Sequence, residues 1–435
     1  MIWNKEMECA ERETMQKLQL ERLQKTVKHV YDNVPFYKER LDAIGMKPED
    51  FKSLKDIEKI PFTTKEDLRQ NYPYKLFAVP RSEIVRIHAS SGTTGKPTVV
   101  GYTRHDLDMW SECMARIISM AGVDKNDTAQ ISFGYGLFTG ALGLHNGLEK
   151  VGCSIIPISS GNTAKQLMVM EDFETSVVVC TPSYALYMAE AFEEYGVNKD
   201  NLKLRVALLG GEGHTLEMNA AIEKNLGVLA LENYGLSEIL GPGVSGECPH
   251  KVGMHIAEDC FYPEIINPET GEVLPWGSEG ELVLTAINKE GFVLLRYRTK
   301  DITTLHAETC QCGRTSIRME KCKGRSDDML IIKGVNVYPS QIESVIVGME
   351  HISPYYQLVV KKSGKMDALE VHVELIDSTL LDKFSELERV EKDIRAKIHS
   401  VLGLDCKICL REPKTFERTA GKAKRVLDLR NEPTA

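Results

Sequence analysis

"LRVALLGGEGHTLEMNAAIEKNLG" (204–227) contains the decisive change of rhythm in this 435-residue chain. Four apolar residues in a row suit a buried strand, the glycines suit a tight turn, and a run with helical spacing follows. The same grammar recurs upstream in "VVVCTPSYALYMAEAF" (177–192) and downstream in "VLALENYGLSEI" (228–239). Short β-branched runs alternating with helical patterns from about 84 to 320 predict α/β layers with parallel strands.

Other segments follow different rules. Residues 5–45 are expected to be helical, with Leu18, Leu20, Leu23, Val27 and Val30 on one face. "IPFTTKEDLRQ" (60–70) reads as a capped helix start, at Thr63 or Thr64. Residues 261–304 alternate strands with turn residues and predict a small antiparallel sheet. Beyond 324 the order is helix 340–350, strands 355–361 and 368–376 about a hairpin at "KKSGKMD", helix 379–402 and strand 406–412. That is a compact α+β unit. The 379–402 helix is expected to cover the sheet of that unit.

Bulk properties exclude several function classes. A net charge of −9 disfavours a nucleic-acid partner. No apolar run reaches the ~18–20 residues of a membrane span, and the charged N-terminus does not read as a signal peptide. The scattered, odd complement of 11 cysteines fits reduced thiols and a cytoplasmic location.

Ligands in α/β sheets sit beyond the carboxyl ends of strands. Three turns fall there: "SSGTTGKPT" (90–98), "GGEGH" (210–214) and "NYGLSEI" (233–239). The first is rich in hydroxyls and glycine, as a phosphate cradle requires, but its spacing is not that of a P-loop. In the third, Tyr234 could stack on a base, Ser237 could donate to a phosphate and Glu238 could hold Mg²⁺. Taken singly, each also reads as an ordinary turn.

Two cysteine-containing stretches offer a metal site. "ECPHKVGMH" and "TCQCGRT" supply Cys248, His255, Cys310 and Cys312 as a closed, structural Zn²⁺ tetrahedron, with His250 as the rival histidine. Cys406 and Cys409 lie in an apparent strand and face opposite ways, so no metal or redox role is expected there. Cys180 reads as core and His214 as a helix-start residue.

In their joint order these stretches resemble the adenylate-forming enzymes, the superfamily of acyl-CoA synthetases, adenylation domains and luciferases. Ser90–Thr98 is similar to its phosphate loop and Tyr234–Glu238 to its aromatic-Gly-x-Ser/Thr-Glu motif. Asp301 in "YRTKD" resembles the ribose-binding aspartate, "GRSDDMLIIKG" the hinge segment, and Gly421–Lys422 the motif of the catalytic lysine. "YGLSEILGPGVSGEC", "FYPEIINPETGEVLPWGSEGELVLT", "RYRTKDIT", "CQCGRT" and "NVPFYKERL" narrow the resemblance to the phenylacetate–CoA ligase group.

The resemblance implies an α/β fold: a large N-terminal AMP-binding domain (1–325) of layered sheets with a small β subdomain, and a small mobile α+β domain (326–435). The hinge would lie near Asp327. It implies ATP-dependent ligation of phenylacetate or a close aryl acid to CoA through an acyl-adenylate, with release of AMP and pyrophosphate. Alternatives are a CoA ligase for indoleacetate, a hydroxyphenylacetate or a benzoate relative, or transfer to a carrier protein. A nucleotide sensor that lost catalysis is disfavoured by the presence of Glu238 and Lys422.

Site residues carry over in the same way. Lys422 and Glu238 would be catalytic, and Glu238 would bind Mg²⁺. Ser90, Ser91, Gly92, Thr93, Thr94, Gly95, Lys96, Gly211, Glu212, Asn233, Tyr234, Gly235, Ser237, Asp301 and Arg325 would bind nucleotide, with Glu212 along the adenine and acyl pocket and Arg325 joining Asp301 at the ribose. Gly334 and Val335 would line the CoA path. Tyr135, Phe138, Gly211, Gly241 and Pro242 would shape the acyl pocket. ATP, Mg²⁺, CoA and a structural Zn²⁺ are the expected cofactors and co-substrates. A homodimer is expected by family analogy.

Overall fold

The computed structural model describes residues 1–90, 97–333, 335–363, 366–380 and 383–430. The chain divides into two compact units. The first comprises Met1–Cys180, Asn198–Gly211 and Leu229–Lys321; the second comprises Thr181–Val197, Glu212–Val228 and Cys322–Ala435. Two helices expected within the large domain, Pro182–Glu194 and Leu216–Leu226, thus cluster with the C-terminal segment.

A mixed sheet runs through the first unit. Its strands lie in the order Phe261–Ile266, Glu279–Ala286, Tyr297–His306, Arg318–Met319, Met254–Ile256, Gly241–Glu247, Leu229–Leu236, Val206–Leu209, Val177–Cys180, Thr128–Ile131 and Ser154–Ile156. The last five are mutually parallel, as the 204–227 rhythm predicts. The antiparallel strands expected over 261–304 form, but not as a separate small sheet. Leu229–Leu236 pairs in parallel with Val206–Leu209 on one edge and antiparallel with Gly241–Glu247 on the other. Hydrogen bonding therefore continues across both regions. The strand where pairing changes sense carries Asn233–Gly235 at its carboxyl end, a natural ligand position.

Strands Val177–Cys180 and Val206–Leu209 are buried along their whole length, which explains their unbroken apolar character. Helix Leu216–Leu226 starts at Thr215, whose side chain accepts the Met218 N–H, and ends at Gly227. Helix Lys65–Gln70 is capped by Thr64, with a reciprocal bond from Asp67. Thr63 is instead buried and donates to the Leu295 carbonyl at 2.7 Å.

The N-terminal region is not one helix but three pieces, Lys5–Glu8, Arg12–Asn33 and Pro35–Ala43. Pro35 forces Val34 into an extended conformation and opens the third. The buried stripe of the second is Met15, Gln19, Leu23, Thr26, Val27 and Val30. Leu18 and Leu20 flank it half-buried, because Gln19 turns inward to donate to the Glu258 carbonyl at 3.1 Å.

In the second unit, strands Lys407–Arg411, Met366–Leu375, Ile352–Ser363 and Val426–Asp428 form one sheet in that order. The two central strands pair in antiparallel register; Gly364 and Lys365, in the turn of the expected hairpin, lie outside the described residues. The final strand was hidden in sequence within a basic tail; it pairs in parallel through Leu358–Val426. The covering helix begins at Phe384 rather than 379, after a single 3₁₀ turn, and buries Val390, Ile394, Ile398 and Leu402.

The 11 cysteines are free thiols. Among the described residues no helix is long and apolar enough to cross a membrane.

Candidate active site

The hydroxyl-rich loop is carried by an antiparallel hairpin, Arg86–Ala89 with Val99–Tyr102. Its neck is closed by Ser90 and Thr98. The Ser90 N–H donates to the Thr98 carbonyl at 2.9 Å, and the Thr98 N–H to Ser90 Oγ at 3.0 Å. The Ala89 N–H bonds the Leu137 carbonyl, linking this hairpin to the glycine-rich stretch before helix Gly140–Val151. Ser91, Gly92, Thr93, Thr94, Gly95 and Lys96 lie outside the described residues, as does Gly334.

At the end of the switch strand, Tyr234 donates its hydroxyl to Asp301 Oδ2 at 2.5 Å, and the Asp301 N–H is held by Thr299 Oγ1. Two residues 67 positions apart thereby meet at one sheet edge. Asn233 is buried and donates to the Leu209 carbonyl at 2.7 Å, so it ties the ends of adjacent parallel strands. Gly210 lies against this amide: a Cβ there would sit 2.9 Å from Asn233 Nδ2.

The next residues form a buried turn. Ser237 shares a hydrogen bond with Thr139 at 3.0 Å. Glu238 is 7% exposed, with Lys65 Nζ 3.6 Å from its carboxylate. Three donors that sequence reading missed hold the backbone behind it. Lys289 Nζ donates to the Ile239 carbonyl at 2.9 Å, the Tyr102 hydroxyl to Leu240 at 2.6 Å, and the Trp110 indole to Pro242 at 2.6 Å. The Tyr102 and Trp110 rings stack at 5.0 Å, and the Lys289 ammonium lies over the Tyr102 face. Burial pushes the Lys289 pKa down to about 8, against the opposing pull of Asp106. Asp106 in turn accepts the Glu290 and Gly291 N–H groups and fixes that loop. In sequence Lys289 sits between Asn288 and Glu290 and carries no signal of this role, because its partners lie far away in the chain.

The acyl-pocket residues divide. Gly241 and Pro242 pack against Trp110 and Thr139, and a Cβ at Gly241 would meet the indole at 2.5 Å. Tyr135 bonds His145 Nδ1 at 3.0 Å with the rings edge-on, whereas Phe138 is 52% exposed.

Cys248, His255, Cys310 and Cys312 offer four donor atoms within 4.8 Å of one another. Cys248 and Cys310 lie 3.7 Å apart, and Cys312 lies 3.4 Å from His255 Nε2. His255 Nδ1 is engaged by Ser316, which leaves Nε2 to face the thiols. Burial, reinforced by Arg314 and Arg318, pushes the His255 pKa down to about 3, so the ring is neutral. Burial raises the Cys248 thiol to about 12. For Cys312, burial is outweighed by hydrogen bonds and charge from Arg314, and the net direction is down.

Glu370, His372 and Cys409 also converge. There Glu370 is already paired with Lys361 and Lys407, so its charge is neutralised without a metal.

Within the second unit Glu212 bridges two backbone N–H groups, Ser183 at 2.7 Å and Ala423 at 3.0 Å. Thr181 Oγ1 donates to the Gly421 carbonyl at 3.3 Å. Lys422, between these contacts, is exposed. The preceding Arg418 is clamped by Glu374 and Glu190, with its guanidinium 3.6 Å from the Tyr355 ring centroid. Arg325 forks onto Asp327 at 2.9 and 3.0 Å. Val335 opens the short strand Val335–Val337, paired with Leu330–Ile332.

The AMP-binding enzyme family model matches residues 6–288, and the AMP-binding enzyme C-terminal domain matches 334–430. Phenylacetate-coenzyme A ligase of Thermus thermophilus is 46% identical, covering 99% of this chain and 100% of the relative. The corresponding ligase of Aromatoleum evansii is 48% identical, over 98% and 96%. A crystal structure of 2-hydroxyisobutyryl-CoA ligase in the postadenylation state superposes with a TM-score of 0.93 at 27% identity, covering 98% of this chain and 92% of the other. With family matches across both parts and near-complete alignment to these ligases, the chain belongs to the phenylacetate–CoA ligase family of adenylate-forming enzymes.

Proposed function

We propose that this protein joins phenylacetate to CoA at the expense of ATP, through phenylacetyl-adenylate. Full-length identity of 46–48% to phenylacetate–CoA ligases carries this reading. In the first step a carboxylate oxygen bonds the α-phosphorus of ATP, the bond to the β-phosphate oxygen breaks and pyrophosphate leaves. In the second the CoA sulfur bonds the acyl carbon, the acyl–phosphate bond breaks, AMP leaves and the thiol proton passes to solvent.

The chain's residues take roles that suit this chemistry. Lys422 bridges the carboxylate and α-phosphate and holds them in line. Tyr234 and Asp301, already bonded to each other, form the edge on which the ribose rests, and Arg325 joins them. Asn233 and Gly211 flank the adenine, while Ser90 to Lys96 cradle the departing phosphates. Tyr135, Phe138, Gly241 and Pro242 border the aryl group, and Gly334 and Val335 the thiol path. The segment from 326 onward is the moving domain, turning at Asp327. The buried Glu238 carboxylate is an oxygen donor of the kind Mg²⁺ takes. An ion held by Glu238 would neutralise phosphate charge. The protein acts as a cytoplasmic homodimer.

The test is AMP release with ATP, Mg²⁺, CoA and a panel of acids. CoA-dependent AMP with phenylacetate as the best acid is expected. A better hydroxyphenylacetate, indoleacetate or benzoate would reassign the substrate. AMP formation that needs a carrier protein instead of CoA would overturn the acceptor.

The Cys248–His255–Cys310–Cys312 cluster fits a structural Zn²⁺: the donors are thiols and a neutral imidazole, and they are close enough to share one ion. One zinc per chain by elemental analysis is expected, lost in Cys310→Ser. Stripping it should cost about 3 kcal/mol, a fall in Tm of roughly 5–10 °C for a unit of this size. Metal-free protein with unchanged melting would refute the site.

A further inference from the structure

The carboxylate of Glu212 sits at the start of helix Pro182–Glu194, where N–H groups lack partners within the helix. One oxygen takes the Ser183 N–H; the other reaches outward to the N–H of Ala423, the residue after Lys422. On the other side of the lysine, the Gly421 carbonyl receives the hydroxyl of Thr181, the residue that caps the same helix. The backbone is thus held immediately before Lys422 by the helix cap Thr181 and immediately after it by Glu212, which itself docks on that helix N-terminus, and both contacts leave the ammonium group out. Gly421 is stabilised further by its N–H bond to Thr419 at 2.9 Å. An ionised carboxylate accepting two N–H groups is a strong, directional clamp, and the positive end of the helix favours its charge.

We propose that Glu212, aided by Thr181, is a positioning residue that latches the Gly421–Ala423 turn and so presents the Lys422 side chain for adenylation. The inference rests on the reading of Lys422 as the adenylation lysine. It gives Glu212 a backbone-holding task in place of a direct contact with adenine or the acyl group. The latch serves one half-reaction: thioester formation does not use Lys422 and does not need the turn held.

Glu212→Gln keeps the shape but puts an amide donor against one of the two N–H groups. The assay is phenylacetate-dependent ATP–pyrophosphate exchange, alongside CoA thioester formation from preformed phenylacetyl-adenylate. The expected result is a fall in exchange kcat of about 10–100-fold, the range for losing a charge-assisted hydrogen bond. KM for ATP and the thioester rate should stay within about twofold of wild type. Thr181→Ala should shift exchange in the same direction by a smaller factor, with Thr181→Ser restoring it; this pair decides the matter if Glu212→Gln does not fold. Equal loss in both half-reactions would mean a merely structural role. A change confined to KM for ATP would mean a ligand contact, and unchanged exchange would mean no latch. Each overturns the proposal. Lys422→Ala runs in parallel. If it abolishes exchange while Glu212→Gln does not, the latch alone fails; if it leaves exchange intact, the reading of Lys422 fails first.

Discussion

Lys422→Ala should abolish adenylate formation and leave thioester formation from preformed phenylacetyl-adenylate nearly unchanged. The α-phosphorus gains negative charge as the carboxylate bonds to it, and a cation placed between the two stabilises the transition state more than the bound reactants. In a site shielded from water, one such donor is worth about 3–4 kcal/mol, or roughly 10²–10³ in rate. Lys422 is exposed and lies on a turn rather than in the core, so its truncation should leave Tm within about 1 °C. ATP–pyrophosphate exchange and single-turnover thioester formation measure the two steps separately. Equal loss in both would remove Lys422 from the adenylation step and place it in general binding.

Gly235→Ala should be the most disruptive small substitution at the site. The strand shifts register between Tyr234 and Gly235, and Gly235 pairs with Pro242 while Leu236 pairs with Gly241. A Cβ at 235 would lie 1.9 Å from the Gly241 carbonyl oxygen and 2.8 Å from Pro242 Cα. Both obstacles are backbone, so no rotamer change relieves the overlap. The turn is itself pinned by Lys289, Tyr102 and Trp110 through the carbonyls of Ile239, Leu240 and Pro242. Either those bonds break or the strand moves, and Glu238 moves with it. A loss of about 3 kcal/mol or more is expected, at the upper end of overpacking, together with loss of ATP binding. Gly45→Ala is the control: its φ of +67° strains a side chain, but nothing lies within 4 Å, so it should cost only about 1–2 kcal/mol. Equal denaturation midpoints for the two variants would show that the 235–241 turn can open freely.

The parallel strands and the helix that follows at 216–226 were legible because buried parallel strands leave an unbroken apolar run and helices leave caps. In the structure that helix starts at Thr215 and ends at Gly227. The order of the hydroxyl-rich loop, the Tyr234–Glu238 turn, Asp301 and Lys422 pointed to adenylate chemistry before any coordinates. The grouping of Cys248, His255, Cys310 and Cys312 was legible for another reason: thiols and an imidazole share metal-ligand chemistry at any separation.

Other features had no local signature. Lys289 looks like a surface lysine until the fold places it under the Ile239 carbonyl, 50 residues away. Val426–Asp428 reads as tail until Leu358 and Val360 supply a strand edge. Glu212 carries a motif glutamate's identity, yet only the folded second unit shows its two oxygens on Ser183 and Ala423. Periodicity thus determined the α/β class, because it depends on residue type and local spacing, and the resemblance of the ordered motifs to the adenylate-forming enzymes implied the chemistry and the candidate residues. Which backbone groups each side chain holds was decided by tertiary structure alone. Hydrogen bonds act over about 3 Å, and only packing brings residues hundreds of positions apart within that reach.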